Sequence, residues 1–160
     1  MIFVVLGTQK FQLNRLLRSL DEFVEKGTII DDITAQTGNS DYKPKHYIYY
    51  PFLGKDEFES HISKADLIIS HGGVGSIMTA LNNEKPVIIF PRLSKYHEHV
   101  DDHQTEIARA FNEKGYALLC DETDDLSQLI EKSKTFAFNK YVSQTDKIVG
   151  TIEDFFLENL

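Results

Sequence analysis

A single cysteine, Cys120, stands among 160 residues, which excludes an internal disulfide and suits a cytoplasmic compartment. No apolar run approaches the ~20 residues that span a bilayer. The opening MIFVVLG has no basic stretch before it and no cleavage site after it, so it reads as a strand and not as a signal peptide. Basic residues are in deficit, 17 Lys and Arg against 25 Asp and Glu, for a net charge of −8. That balance argues against a nucleic-acid binder, which carries a basic face, and disfavours unaided adsorption on anionic lipid. Neither G-x-G-x-x-G nor a Walker A loop occurs, and no repeat, low-complexity tract or linker breaks the chain. What remains is ordinary globular composition, 41% hydrophobic and 26% charged, at a length expected to form one domain, residues 1–160.

The chain is organised around ADLIISHGGVGSIMTALNNEKPVIIFP, residues 65–91. Asp66 to Ser70 reads as a short buried strand, with Leu67, Ile68 and Ile69 apolar in succession. A turn follows at His71-Gly72-Gly73. Val74, Ile77, Met78 and Leu81 then recur at i, i+3, i+4 and i+7 as on one face of a helix. Pro86 ends the connection before a second apolar strand, Val87 to Phe90. Two apolar strands joined by a helix make a βαβ unit with a right-handed crossover and parallel pairing. Glycines where the strand meets the helix would let a ligand approach the free N–H groups of the first turn, a site suited to phosphate or diphosphate. They could equally serve only a tight turn.

Elsewhere, Ile2 to Leu6 reads as the first strand and Gly7-Thr8-Gln9 as a second strand-to-helix loop. A helix bearing Leu13, Leu16, Leu17, Leu20, Phe23 and Val24 follows, stopped by Gly27. Arg15 and Arg18 fall on its polar side and read as solvated. Strands are expected over 28–36, 46–52 and 116–120, with helices over 55–64, 103–113, from Asp121 to near Lys134, and 141–157. The order gives an α/β chain with a Rossmann-like, doubly wound, mostly parallel sheet. Cys120 reads as core filling at a strand end. The aromatic run Tyr47, Tyr49, Tyr50, Phe52 could rim the core, stack on a sugar or face a partner.

The loop after the second central strand, residues 91–104, gathers Arg92, Lys95, His97, Glu98, His99, Asp101, Asp102, His103 and Gln104 at the carboxyl edge of the sheet, where open α/β folds bind ligands. The spacing His97-x-His99-x3-His103 permits a metal reading. The expectation is nevertheless no metal, since helix amides already serve a phosphate and no zinc-type spacing occurs.

SHGGVGSIMTALNNEKPVIIFPR, followed by EHVDDHQTEIARAF and preceded by MIFVVLGTQKFQLNRLL, resembles the nucleotide-sugar-binding half of GT-B glycosyltransferases of family 28. The nearest resemblance is to small bacterial Alg13-like subunits that help to build capsular and exopolysaccharides. It covers nearly the whole chain and is weakest from about Asp124 onward. It implies a single C-terminal-type half of a GT-B fold that binds a UDP-sugar as substrate and needs no cofactor. The diphosphate would lie on Gly7, Thr8, Gln9, Gly72, Gly73, Val74 and Ser76, with Arg92 neutralising charge. Donor-sugar contacts would come from Glu98, Asp101, Asp102, His103 and Gln104. Family members often hold the ribose with Glu where this chain has Thr79, so that role passes to Thr79, Asn82 or Asn83. His71 and His99 are the candidates here for a general base.

The resemblance also implies a membrane-associated, Alg14-like, acceptor-binding partner, a lipid-linked glycan acceptor, and a cytoplasmic protein recruited to the inner face of the membrane. A homodimer is possible for the isolated chain. The C-terminal helix and the Tyr47–Phe52 stretch are the expected docking surfaces. A catalytic donor-binding subunit and a non-catalytic stabilising subunit both remain open.

Overall fold

The computed structural model describes residues 1–142. Six strands form one sheet: β1 (Ile2–Val5), β2 (Ile33–Gln36), β3 (Ile48–Tyr50), β4 (Leu67–Ser70), β5 (Val87–Ile89) and β6 (Leu118–Leu119). Their order is β3-β2-β1-β4-β5-β6, and every neighbouring pair is parallel. Five α-helices accompany them: α1 (Asn14–Glu25), α2 (Lys55–Lys64), α3 (Val74–Asn82), α4 (His103–Glu113) and α5 (Leu126–Ser133). This is the Rossmann-like, doubly wound arrangement.

Strand alternation sends side chains to two separate cores. Ile2, Val4, Ile33, Ala35, Leu67, Ile69 and Ile88 meet α1 and α5 through Leu16, Leu17, Leu20, Leu126 and Ile130. Phe3, Val5, Ile68, Val87 and Ile89 meet α2, α3 and α4 through Ile62, Ile77, Leu81, Ile107, Ala108 and Phe111. With both faces covered, the central strands must be apolar throughout, which is why they read as continuous runs and not as alternating ones. Cys120 lies in the first core, and burial pushes its thiol up to about 12.

Several boundaries differ from expectation. The strand expected from Thr28 begins only at Ile33. Gly27 turns at φ +70°, and Thr28 N and Ile29 N both donate to Phe23 O, so the chain folds back over the end of α1 before it can extend. Ile29 is buried by that turn, whereas Ile30 is 89% exposed. The helix expected from Asp121 begins at Leu126, because Asp121 and Asp124 close a turn on each other and Asp125 caps Ser127 N. The strand over 116–120 is reduced to Leu118–Leu119, and Cys120 N extends its ladder to Ile89 O at 2.8 Å. The C-terminal helix expected over 141–157 lies almost wholly outside the described residues.

Asp21 on α1 is the polar anchor of the long loop between β2 and β3. It is 3% exposed, and its carboxylate accepts from Tyr42 Oη (2.7 Å), Lys45 N, His46 N (2.8 Å) and His46 Nδ1 (3.0 Å). Burial raises its pKa, but these four donors outweigh burial and hold it below 3.8. A depressed carboxylate stabilises the fold fully above its unfolded value and loses that contribution as pH falls through the lower folded value. Asp21→Asn should therefore cost about 2 kcal/mol near neutral pH. In chemical denaturation, the gap between variant and parent should narrow as pH drops below 3.8.

Candidate functional site

From β1 the chain runs outward to β2 and β3, then returns to place β4 on the other side of β1. Strand order reverses there, and β1 and β4 lead to helices on opposite faces of the sheet, the arrangement at whose carboxyl edge open α/β folds bind ligands. Residues 6–13 leave β1, residues 71–73 leave β4, and residues 90–102 leave β5.

The centre of this edge is Arg92, which is 1% exposed. Its Nη2 donates to Leu6 O (2.7 Å) and Phe11 O (3.1 Å), and its Nε to Gln12 O (3.4 Å). Its Nη1 lies 2.7 Å from His71 Nδ1. Burial lowers its pKa to about 10, with Glu98 opposing, so the guanidinium stays charged at neutral pH. The expectation that Arg92 neutralises a diphosphate directly is corrected: its donors are occupied by the β1 loop and by His71.

His71 lies between Gly7 and Gly73, where a Cβ would stand 2.7 Å and 2.1 Å from ring atoms. Its Nδ1 receives Arg92 Nη1, Gly73 N (3.1 Å) and, at 3.4 Å, Gln104 Nε2. Three donors on one nitrogen assign the ring proton to Nε2, which faces Ser76 Oγ at 3.5 Å. Burial first, then Arg92, lower the pKa to about 3, so the ring is neutral. A neutral imidazole with its lone pair occupied cannot accept a proton from an acceptor hydroxyl. The expectation of His71 as a general base is corrected to a fixed Nε2–H donor.

Gln104 is buried, and its Oε1 accepts from Gly72 N (3.1 Å) and Arg92 N (3.2 Å). It ties the β4 loop to the β5 loop, where a donor-sugar contact was expected. The glycines follow suit: a Cβ on Gly72 would lie 2.4–2.9 Å from Gln104 atoms, backbone included. Gly72 and Gly73 thus admit the protein's own side chains, and their amides already have acceptors. The first intrahelical bond near this end of α3 is Ile77 N to Gly73 O (3.2 Å), and no side chain caps the helix, leaving the amides of Val74, Gly75 and Ser76 ahead of it.

The remaining expected residues fall around this centre. Thr8 and Gln9 are exposed, and their carbonyls accept from Asn39 Nδ2 (3.4 and 2.8 Å). Thr79 Oγ1 donates back to Gly75 O at 2.9 Å. Glu98 is 1% exposed, and Arg15 clamps it through Nε (3.0 Å) and Nη2 (2.9 Å) while Leu93 N donates to it. That corrects two expectations, Glu98 as a sugar contact and Arg15 as solvated; Arg15 also stacks over Phe90 and Tyr96. Asp102 is exposed and accepts from Ser94 N (2.7 Å). His99, Asp101 and His103 gather at the start of α4, with the His99 ring 4.4 Å from that of Phe11. Burial lowers the pKa of His99, with His103 adding to it.

Residues 1–151 match the model of the glycosyltransferase family 28 C-terminal domain. The chain belongs to this family. It is 30% identical over 136 residues, 82% of its length, to the UDP-N-acetylglucosamine–N-acetylmuramyl-(pentapeptide) pyrophosphoryl-undecaprenol N-acetylglucosamine transferase of Gloeothece citriformis. It is 33% identical over 126 residues, 74% of its length, to the UDP-N-acetylglucosamine transferase subunit ALG13 of Homo sapiens. The chain spans 36% of the length of the first of these and 11% of the second. The solution structure of an ALG13 superposes with TM-score 0.60 at 20% identity, covering 91% of both chains. Acinetobacter baumannii MurG superposes at 0.56 and 19% identity, over 86% of this chain and 41% of its own. At such identity the superpositions speak for the GT-B fold alone.

This sheet edge yields three expected outcomes. Gly72→Ala and Gly73→Ala should each lower thermal stability markedly, since the new methyl meets Gln104 or His71. Gly75→Ala meets nothing within 4 Å and should be neutral or stabilising by up to ~1 kcal/mol. Nitrogen-15 spectra should show the His71 ring as the Nε2–H tautomer, without titration until about pH 3.

Proposed function

We propose that this chain binds the diphosphate of a UDP-sugar at the start of α3 and acts as the donor-binding subunit of an inverting glycosyltransferase. The observation that carries the reading is the fixed His71 Nε2–H beside Ser76 Oγ and the uncapped amides of Val74, Gly75 and Ser76, all at the switch point of the sheet. In the transfer, an acceptor hydroxyl attacks the anomeric carbon while the bond to the diphosphate oxygen breaks. Negative charge grows on the departing UDP, where neutral N–H donors and the positive end of a helix are most effective. Arg92 supports this at one remove by fixing His71. The reading calls for no divalent ion at the diphosphate, because these donors would serve its charge.

Asp102 is the exposed carboxylate best placed along the sequence for the sugar hydroxyls. The general base is assigned to an acceptor-binding, Alg14-like partner at the inner face of the cytoplasmic membrane; on this chain His71 is disqualified by its filled Nδ1, and His99 is the remaining candidate. Relatives named as a transferase subunit and as a pyrophosphoryl-undecaprenol transferase support a partner and a lipid-linked acceptor. Among the described residues no helix is long and apolar enough to cross a membrane, which accords with recruitment by a partner. Capsular or exopolysaccharide synthesis is the proposed setting.

One observation favours a second reading, a non-catalytic stabilising subunit: the Thr79 hydroxyl is engaged by Gly75 O and the Asn83 amide by Thr79 O (2.8 Å), leaving ribose to Asn82. Titration with UDP should shift the amide resonances of Val74, Gly75 and Ser76, equally with and without Mg²⁺. Silence of those amides at millimolar UDP would remove the diphosphate site. Co-expression with the partner should yield transfer from a UDP-sugar that the purified chain alone lacks. UDP binding without transfer in the assembled complex would favour the stabilising role.

A further inference from the structure

We propose that His99, Asp101 and His103 form a binding site for one late first-row divalent ion of the zinc class, at the entrance to α4. One ligand atom from each of the three lies within 4.8 Å of the others. His99 Nδ1 and Asp101 Oδ1 are 3.3 Å apart, and His103 Nδ1 meets the same carboxylate oxygen. A tetrahedral centre with bonds of ~2.0–2.1 Å keeps neighbouring ligand atoms about 3.3 Å apart, so the His99–Asp101 edge already has the required span and the direct His103–Asp101 contact would open to admit the ion.

The ring positions are set from outside the cluster. The His99 side chain is 9% exposed, packed at 4.4 Å on the Phe11 ring and edge-on at 4.6 Å to the His103 ring. Asp101 N–H approaches the same His99 Nδ1 at 3.4 Å, a weak contact that the ion would displace. His103 N donates to Asp101 Oδ1 at 3.2 Å, fixing the carboxylate across the first turn of the helix. Such outer contacts orient ligands in metal sites. The Asp101 side chain is 57% exposed, giving an ion a path from solvent.

The donor set defines the class of ion. Two imidazoles and one carboxylate suit zinc, cobalt, nickel or copper, whereas magnesium and calcium take oxygen ligands. Three protein ligands leave a fourth position open to water or an incoming group. His97, which the spacing had offered as a ligand, is excluded. It sits in a left-handed turn at φ 58°, is exposed, and stands outside the cluster. The H-x-D-x-H pattern therefore replaces H-x-H-x3-H, and Asp101 takes the place of a histidine.

Asp101 and His103 were also expected as donor-sugar contacts, so the readout is the ion itself and not sugar transfer. In calorimetry with the purified full chain, ZnCl2 should bind with one equivalent while MgCl2 gives no heat. The His99 and His103 ring resonances should move together. His103→Asn and Asp101→Asn should each weaken Zn²⁺ binding at least ~10-fold, the least that loss of even an outer-shell partner costs. His97→Asn should leave it unchanged. His99→Asn also removes the stack on Phe11 and is read only if its methyl spectrum stays native; the other two variants carry the test without it. No binding of Zn²⁺, binding that survives His103→Asn and Asp101→Asn, or equal binding of Mg²⁺ would each overturn the site.

Discussion

The buried guanidinium of Arg92 is the interaction on which the carboxyl edge of this sheet depends. A charged group taken out of water is costly unless every donor finds an acceptor. Here the acceptors are Leu6 O, Phe11 O, Gln12 O and His71 Nδ1. Satisfying the charge therefore forces the β1 loop, the β4 loop and the β5 loop into one arrangement. Gln104 repeats the same logic with a neutral amide, joining Gly72 N to Arg92 N. The crevice is held by polar groups because apolar packing alone would not orient its N–H donors.

Electrostatics and covalent geometry act together in the same few residues. Arg92 and Gly73 both direct donors at His71 Nδ1, which leaves Nε2 as the proton-bearing atom, facing Ser76 Oγ. The neutral ring and the charged guanidinium coexist because burial and the neighbouring cation both oppose a second positive charge. Glycine is required at Gly7 and Gly73 since the ring fills the space that a Cβ would need. The short glycine turn thus serves a side chain first.

The elements with strong periodicity were legible in the sequence. The helices over Lys55–Lys64 and His103–Glu113 have the bounds expected from their patterns, and the apolar strands around the HGG turn pair in parallel as a βαβ unit. The glycosyltransferase family was legible too, because its motif lies in consecutive residues. What could not be read was which polar residues face one another across loops. Arg15 and Glu98 are 83 positions apart and form an ion pair, yet in its own segment Arg15 read as solvated and Glu98 as a sugar contact. Arg92 and Gln104 looked like ligand contacts for the same reason: a local pattern shows polarity but not the partner that consumes it. The start of β2 was missed because the Gly27 turn extends over two more residues than a capped helix demands.

The lone thiol gives the molecule a built-in reporter. Cys120 is 4% exposed between β6 and α5, and its proton is held tightly enough that thiolate is scarce at neutral pH. A thiol reagent therefore modifies only those molecules in which the packing around Cys120 has opened, because thiolate is the reactive form and needs access. With no second cysteine to confuse the signal, the rate of labelling reads the opening of that packing alone. Compared with the rate of global unfolding, it tells whether the sheet edge beyond β5 breathes separately from the Arg92-held crevice.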